Sequence, residues 1–229
     1  MVQVVGHRGA AGIEPENTLR GFRRAIELGA GWVECDVRLT SDRRLIVMHD
    51  ETVDRTTNRT GAVRDLTFDR VRALDAGKGE RVPTLAEVLE AVRGKARLQI
   101  ELKGPGTARP AVRAVKALGM DEEVMFVSFH LGRLRQVKRA DASLQVGAIF
   151  EKAGARACER SAAAGAGLIS VFYKNLTWGL VEEAHRRGLE AAAWSPDKEA
   201  EWRAMIALGA DMVATNRPDR LMAMLRGRP

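Results

Sequence analysis

The sequence of 229 residues lacks features that define whole classes of protein. Its two cysteines, Cys35 and Cys158, fit neither a disulfide framework nor a zinc-ligand spacing. No apolar run approaches the roughly 18 residues that a membrane span requires, so we expect no stable membrane anchor. The N-terminal stretch MVQVVGHRGA has neither a basic leader nor an apolar signal core, which favours a cytoplasmic location.

Lysine is also scarce. It accounts for eight of the 37 basic residues, which outnumber the 30 acidic ones and give a net charge of +7. Such a surplus suits nucleic acid, acidic lipid or a phosphorylated small molecule, although a codon preference for arginine would explain most of it. Aromatic residues make up only 5% and the arginines are dispersed, whereas nucleic-acid surfaces combine basic stripes with aromatics. We therefore expect a small-molecule partner and no nucleic acid.

One junction recurs along the chain: an amphipathic segment, a glycine, and then a short apolar run, as in AIELGAGWVECDV. Glycine ends a helix readily, and helices alternating with apolar runs are typical of parallel strands joined by crossovers. The runs predict nine strands, at residues 2–6, 32–38, 45–49, 97–102, 124–129, 144–149, 168–172, 189–194 and 211–215.

Nine strands are one more than a closed barrel of βα units needs. Residues 39–44 are too few for a parallel crossover, which takes about a dozen, so 32–49 is predicted to be a hairpin. The remaining count gives an α/β fold, a TIM-type (β/α)8 barrel with an extra hairpin arm at the second strand. An open doubly wound sheet is the alternative, but no GxGxxG motif follows the first strand.

Helix starts agree with this division of the chain. Thr18, Thr84 with Glu87, and Thr177 each precede helical periodicity, and Pro218 stands where a first-turn proline is tolerated. No linker or low-complexity stretch divides the sequence, so we interpret residues 1–229 as a single domain. Residues 51–82 are polar and predict a short irregular excursion over one face.

Barrel enzymes carry their active sites at the carboxyl ends of the strands. Charged and polar residues at the ends of otherwise apolar strands require a structural or functional explanation, because burying an unpaired charge costs several kcal/mol. The candidates are His7, Arg8, Glu34, Asp36, His49, Glu101, Lys103 and Trp194.

Three of these candidates, Glu34, Asp36 and Glu101, are carboxylates. Glu34 and Asp36 are two apart on one strand and so share a face. Three carboxylates in one mouth repel by ~4 kcal/mol per pair at 4 Å and an effective dielectric of 20. One divalent cation, Mg²⁺ or Ca²⁺ for oxygen ligands, would remove this repulsion. The alternative is a set of separate salt bridges with arginines.

The histidines suggest proton transfer. A hairpin turn centred between Asp42 and Arg43 places Asp36 roughly opposite His49. Imidazoles such as His7 and His49 suit general acid–base roles in phosphoryl transfer. His130 follows a strand and is a further candidate for the mouth, whereas we interpret His185, on a helix, as a satisfied core residue.

Arg8 and Lys103 supply positive charge for a phosphate, and arginine offers bidentate contact. Together with three carboxylates and a divalent cation, they leave one net positive charge. That matches the single negative charge of a phosphodiester.

Several strings then carry a resemblance over nearly the whole chain. HRGAAGIEPENTLRGFRRAIELGAGWVECDVRLTSD, VMHDETVDRTTNRTG, PTLAEVLE, IELKGP, VSFH, AAW and DMVATNRPD together resemble the glycerophosphodiester phosphodiesterase family, in its small bacterial cytosolic form. The resemblance implies a metal-dependent βα barrel that hydrolyses glycerophosphodiesters to glycerol 3-phosphate and an alcohol.

The same resemblance implies residue roles at the matching positions. Glu34, Asp36 and Glu101 would bind the metal, and His7 and His49 would be the acid–base pair. Arg8 and Lys103 would contact the phosphate, and Trp194 would lie beside the glycerol. PENT, residues 15–18, would be a helix cap that shapes the mouth, with no catalytic group.

The chain departs from the family pattern at three places: the hairpin turn, the loop after Trp194, and the excursion at 51–82, which is short and so is not expected to contact a large head group. Arg43 stands where the hairpin turn usually has glycine, so the turn is expected to differ. After Trp194, Ser-Pro-Asp replaces the common Thr-Val-Asn, which puts polar contacts from that loop in doubt.

The sequence leaves several questions open. His7 is assigned as the base and His49 as the acid, but the reverse remains open. The nucleophile is the glycerol 2-hydroxyl, giving a cyclic phosphate, or water. The protein is a monomer or a small homo-oligomer. The rival functions are a phospholipase-type enzyme acting on intact lipid and an anion-binding module without catalysis.

Overall fold

The computed structural model describes residues 2–227. All nine predicted strands are present within that range. They are β1 (Gln3–Gly6), β2 (Trp32–Leu39), β3 (Leu45–Val47), β4 (Arg97–Leu102), β5 (Val124–Ser128), β6 (Gln145–Phe150), β7 (Leu168–Phe172), β8 (Glu190–Trp194) and β9 (Met212–Thr215).

Eight of these strands form a closed parallel barrel. The hydrogen-bonded order is β1-β9-β8-β7-β6-β5-β4-β2, and β1 also pairs with β2, which closes the ring. The short strand β3 lies outside the ring and pairs antiparallel with β2. The predicted (β/α)8 barrel with an extra hairpin arm is therefore confirmed.

The register of the hairpin differs from the prediction by one residue. Val37 pairs with Val47, and the Met48 amide donates to the Asp36 carbonyl at 2.9 Å. Asp36 therefore lies opposite Met48, one residue away from the predicted partner His49. His49 follows the end of β3, where the ladder has ended.

The turn geometry explains the shift. Arg43 N donates to the Thr40 carbonyl and Thr40 N to the Arg44 carbonyl, each at 3.0 Å, so the turn centres on Asp42. Arg43 has a φ of 61°, the left-handed conformation that glycine adopts most readily. The arginine thus keeps a glycine-like backbone despite the substitution noted in the sequence.

Helices cover the outside of the barrel, and the predicted caps are present. Thr18, Thr84 and Thr177 are N-caps, Thr84 forms a capping box with Glu87, and Pro218 opens the last helix. The helices are α1 (Leu19–Glu27), α2 (Phe68–Arg72), α3 (Leu85–Val92), α4 (Ala108–Ala117), α5 (Leu131–Ala140), α6 (Ala157–Ala163), α7 (Trp178–Arg186), α8 (Glu199–Ala207) and α9 (Pro218–Leu225). In the described part of the chain, none of them has the length and apolar character needed to cross a bilayer.

Apolar side chains are divided between two layers because successive strand residues point to opposite faces. Outward residues such as Val33 and Cys35 pack with the helices in a large cluster. Inward residues fill the barrel, and the buried ones are Val5, Trp32, Met125, Val127, Ile149, Leu168, Ala192, Met212 and Ala214. The lower barrel is thus mostly a packed apolar core, with a few hydrogen-bonded polar side chains such as Gln3, which accepts from Trp32 Nε1 at 2.7 Å.

Residues 51–82 are more ordered than the predicted irregular excursion. They contain a 3₁₀ turn, Val63–Asp65, and the short helix α2. Together with the hairpin they bury their own apolar cluster, made of Ile46, Met48, Val53, Val63, Val71, Leu74, Ala76 and Val82. The alternation of polar residues with single apolar ones had concealed this small core.

Candidate active site at the barrel mouth

A cavity opens at the carboxyl ends of the strands. Seven of the eight predicted site residues line it, namely His7, Arg8, Glu34, His49, Glu101, Lys103 and Trp194. The eighth, Asp36, is only 1% exposed and lies within 3.6 Å of both Arg8 and Lys103. The structure therefore brings the whole predicted set together.

The loop that carries His7 and Arg8 packs tightly against α1. A Cβ atom on Gly6 would lie 2.5 Å from the Gly9 carbonyl oxygen, and one on Gly9 would lie 2.6 Å from the Gly21 backbone. Arg8 itself has a left-handed φ of 51°, and its amide donates to Glu34 Oε2 at 2.9 Å. The two glycines thus allow the loop to fold back, which aims His7 and Arg8 into the mouth.

Glu34, Asp36 and Glu101 form one buried cluster. Each offers an oxygen within 4.8 Å of the others, and all three are buried. Burial, and then the neighbouring carboxylates, raise the pKa of Glu34 well above its usual value. The same causes raise the pKa of Glu101 to about 7. This cluster is therefore under electrostatic strain that a cation would relieve.

The donor atoms of this cluster fit a hard cation. Glu34 Oε1 and Asp36 Oδ1 are buried without a hydrogen-bond partner among residues 2–227. Buried oxygens of this kind are normally satisfied, so an orphaned pair indicates a missing partner. Carboxylate oxygens are the ligands that Mg²⁺ and Ca²⁺ prefer.

Asp36 differs from its two neighbours. Burial alone would raise its pKa, but Lys103 and Arg8 outweigh burial and hold the pKa of Asp36 below its usual range. The Asn17 side-chain amide also donates to Asp36 Oδ2 at 2.8 Å. Asp36 is therefore kept ionised in the cluster.

His7 is held through a chain of amide and carboxylate contacts. Its Nδ1 lies 2.7 Å from Asn216 Oδ1. The Asn216 side-chain and backbone N–H groups donate to the two Asp197 carboxylate oxygens at 2.7 and 2.8 Å. Burial, and then Arg8, lower the pKa of His7 to about 4. The imidazole is therefore neutral near pH 7.

His49 has an acidic partner. Its Nδ1 lies 2.6 Å from Asp50 Oδ1. Hydrogen bonds from Arg55 and then from His49 hold the pKa of Asp50 below its usual range, so this carboxylate is ionised. Burial outweighs the opposing effects of the Asp36 charge and the Asp50 hydrogen bond, so the pKa of His49 is lowered overall.

The other two histidines lie outside the mouth. His130 is exposed at the start of α5 and does not line the cavity, so its candidacy is not supported. His185 bonds Asp211 at 2.8 Å, but its side chain is 45% exposed. It is satisfied, as predicted, although it lies on the surface and not in the core.

Lys103 and Trp194 line the cavity together with Phe129. Lys103 Nζ lies 2.9 Å from Glu101 Oε2 and 5.5 Å above the Phe129 ring. The Trp194 ring packs against Phe129 and Phe172, with centroids 5.6 and 5.2 Å apart. The mouth thus has a charged side and an aromatic side.

The sequence did not single out several residues that support this site. Asn17 was seen only as part of a helix cap, and Asp50, Asp197 and Asn216 were not assigned a role. Asn17, Asp50 and Asn216 lie within the recognised strings and Asp197 follows one, but a single sequence holds no signal that links Asn216 to His7. The loop at Asp197, where contacts were in doubt, provides three hydrogen bonds to the end of β9.

A closed (β/α)8 barrel carries its active site at this mouth. Carboxylates, imidazoles and cationic side chains there are typical of enzymes that act on phosphorylated small molecules. Comparisons with known proteins define the class further. Residues 7–220 match the model of the glycerophosphoryl diester phosphodiesterase family. The chain belongs to this family, and it is accordingly a phosphoric diester hydrolase.

Individual relatives agree over their full length. A glycerophosphodiester phosphodiesterase of Caldanaerobacter subterraneus subsp. tengcongensis is 37% identical, covering 97% of each chain. The crystal structure of a glycerophosphodiester phosphodiesterase from Agrobacterium tumefaciens has a TM-score of 0.86 at 32% identity, covering 97% of this chain and 100% of that one. A phosphodiesterase from Oleispira antarctica, solved with the product sn-glycerol-3-phosphate, has a TM-score of 0.90 at 25% identity, covering 98% and 96%.

Proposed function

We propose that this protein hydrolyses glycerophosphodiesters to glycerol 3-phosphate and an alcohol, with a divalent cation and two histidines. One observation carries the proposal: a buried carboxylate cluster with orphaned oxygens shares a cavity with two imidazoles, an arginine and a lysine. That combination can neutralise a phosphodiester and move protons on both sides of it.

Glu34, Asp36 and Glu101 would hold the cation. Oxygen ligands favour Mg²⁺ or Ca²⁺ over softer metals. A bound cation would polarise the phosphoryl oxygens and neutralise charge that develops during hydrolysis.

Hydrogen bonding supports His7 as the general base. A carboxylate only accepts hydrogen bonds, so the Asn216 NH₂ group must face Asp197 and its oxygen must face His7. His7 Nδ1 then carries the ring proton, which leaves the Nε2 lone pair free. A neutral imidazole with this tautomer can take a proton from the nucleophile.

His49 is suited to the opposite role. Asp50 accepts a hydrogen bond from Nδ1 and its negative charge stabilises the imidazolium form. A protonated His49 can donate its Nε2 proton to the leaving alkoxide. The different partners of the two histidines thus support the assignment of His7 as base and His49 as acid.

Arg8 and Lys103 would contact the phosphate, since both present cationic groups to the cavity. Trp194 would cover the carbon face of the glycerol with its ring. The relative from Oleispira antarctica was solved with sn-glycerol-3-phosphate, which is compatible with a phosphate and a glycerol in such a mouth.

A chelation-and-rescue assay tests the proposal. Glycerophosphocholine, glycerophosphoethanolamine and related diesters would be offered, and glycerol 3-phosphate detected by coupled oxidation. We expect EDTA to abolish product formation and Mg²⁺ or Ca²⁺ to restore it. Full activity after thorough chelation would overturn the metal assignment, and no glycerol 3-phosphate from any diester would overturn the function.

A second experiment identifies the nucleophile. Rapid-quench phosphorus NMR would detect a cyclic glycerophosphate if the glycerol 2-hydroxyl attacks. A complete absence of that species during a single turnover would assign the attack to water.

A further inference from the structure

Arg55 lies between two carboxylates at the mouth of the barrel, Glu16 and Asp50. Its Nη1 and Nη2 donate to the two Glu16 carboxylate oxygens, each at 2.7 Å. Its Nε donates to Asp50 Oδ2 at 2.7 Å, and Nη2 also reaches Asp50 Oδ1 at 3.1 Å. One guanidinium therefore holds two carboxylates from different segments, one in the connection between β1 and α1 and the other just after β3.

Each of these carboxylates contacts a group that faces the cavity. Glu16 Oε1 accepts from Arg8 Nη1 at 3.0 Å, and Asp50 Oδ1 contacts His49 Nδ1 at 2.6 Å. The result is an unbroken row of alternating charge with Arg8 at one end and His49 at the other. Every neighbouring pair in the row is within hydrogen-bond distance.

The geometry of this row sets it apart from ordinary surface ion pairs. Exposed pairs contribute little, about 0–1 kcal/mol, because both side chains stay free to move. Arg55 is itself 50% exposed, but Glu16 is only 16% exposed and is shared by two guanidinium groups. The fork of Arg55 meets Glu16 with two parallel bonds, which fixes direction as well as distance.

We propose that Arg55 is a positioning residue that fixes Arg8 and His49 relative to one another at the mouth. The inference rests on the proposed function for the roles of Arg8 and His49. Arg55 belongs to the excursion at 51–82, so it also couples that segment to the chemistry. Without Arg55, Glu16 and Asp50 would each lose one cationic partner. The side chains of Arg8 and His49 would then be more mobile.

Substitutions at position 55 test this role in the full-length protein. Arg55→Ala is expected to lower kcat/KM for a glycerophosphodiester by about 10- to 100-fold, as for other residues that orient functional groups. Arg55→Lys keeps the charge but lacks the fork, so it should restore only part of the loss. Arg59→Ala removes the same charge from an exposed arginine of the same segment and should keep wild-type kinetics.

Two single variants separate the two ends of the row. Glu16→Gln should mainly raise KM and the inhibition constant of glycerol 3-phosphate, because it frees Arg8. Asp50→Asn should mainly lower kcat, because it frees His49. Arg55→Ala should show both effects, whereas a general loss of folding would lower the active fraction without this split.

Histidine NMR provides a readout that does not depend on activity. The chain has only four histidines, so the imidazole carbon-bound proton signals can be assigned by substitution. Arg55→Ala should shift the His49 signal and leave those of His130 and His185 in place. An unmoved His49 signal, equal shifts at all four histidines, or wild-type kinetics in Arg55→Ala would each overturn the proposal.

The outcomes also separate this proposal from the proposed function. If the wild type hydrolyses no glycerophosphodiester, the function fails, and the NMR comparison still decides whether Arg55 positions His49. Should Arg55→Ala not fold, Arg55→Lys and Arg55→Gln carry the same measurements, with thermal melts confirming that each is folded.

Discussion

Asn17 and Asp36 are joined by two hydrogen bonds. The Asn17 side-chain NH₂ donates to Asp36 Oδ2 at 2.8 Å, and its side-chain oxygen accepts the Asp36 amide at 3.2 Å. Asn17 is buried and has a left-handed φ of 57°, which asparagine tolerates better than most residues. The residue before the α1 cap thus fixes the orientation of a carboxylate in the candidate metal cluster.

Asn17→Gly is expected to weaken cation binding by about 10- to 100-fold, because Asp36 loses the amide that orients it. Glycine tolerates the left-handed backbone, so the change isolates the side chain. Calorimetric titration with Mg²⁺ and Ca²⁺ measures the effect. Asn58→Gly, at an exposed asparagine of the excursion, is the control, and equal affinities in the two variants would contradict the role of Asn17.

His7→Ala and His49→Ala should each lower kcat by roughly 10²–10⁴, the usual contribution of general acid–base catalysis. His130→Ala removes an exposed histidine outside the cavity and should keep the wild-type rate. Steady-state kinetics on folded protein measures all three. A full rate in either of the first two variants would show that the residue has been assigned wrongly.

Asp197→Asn should lower kcat by on the order of 10- to 100-fold. An amide at 197 would present NH₂ to the Asn216 NH₂, so Asn216 would turn over and offer NH₂ to His7. His7 would then carry its proton on Nε2 and could not act as a base.

The double variant Asp197→Asn with Asn216→Asp tests the same reasoning from the other side. It places an acceptor next to His7 Nδ1 again, so much of the lost kcat should return. Kinetics of the two singles and the double form a complete cycle. Additive losses, with no recovery in the double variant, would count against a tautomer held by Asn216.

The pH dependence of stability should report the carboxylate cluster. Burial, and then Asp36, raise the pKa of Glu101 from 4.5 to about 7, so its protonated form is favoured in the folded state. In chelated protein this contribution to stability is complete below pH 4.5 and is lost as the pH rises to about 7. His7, whose pKa falls from 6.5 to about 4, has the opposite sign over that range.

Comparison with Glu101→Gln isolates the Glu101 contribution. Urea unfolding at several pH values in EDTA should show the wild type losing stability relative to the variant between pH 4.5 and about 7. Saturating Mg²⁺ or Ca²⁺ should remove most of the loss in the wild type, because the cation binds the ionised form. A difference that does not change with pH would refute the raised pKa.

Much of the site followed from local pattern. Glu34 and Asp36 share a face because strand residues alternate, and this placed both in the mouth while Cys35 packed outward. The hairpin followed from a connection too short for a crossover. The predicted register was off by one residue, because Arg43 adopts a left-handed backbone conformation that is not expected of an arginine.

The supporting contacts could not be predicted in this way. His7 and Asn216 are 209 residues apart and meet only because β1 and β9 close the barrel. Arg55 reaches Glu16 across 39 residues, because a segment that looks irregular folds over its own small core.

The sequence by itself determined the strands, the helices and the residue types at the strand ends, since periodicity and caps are local properties. Only the tertiary structure decided which polar atoms meet, because side-chain hydrogen bonds depend on barrel closure and on loop positions that no local pattern encodes. The types of functional residue are therefore encoded in local sequence, whereas the orientation of their side chains depends on closure of the barrel.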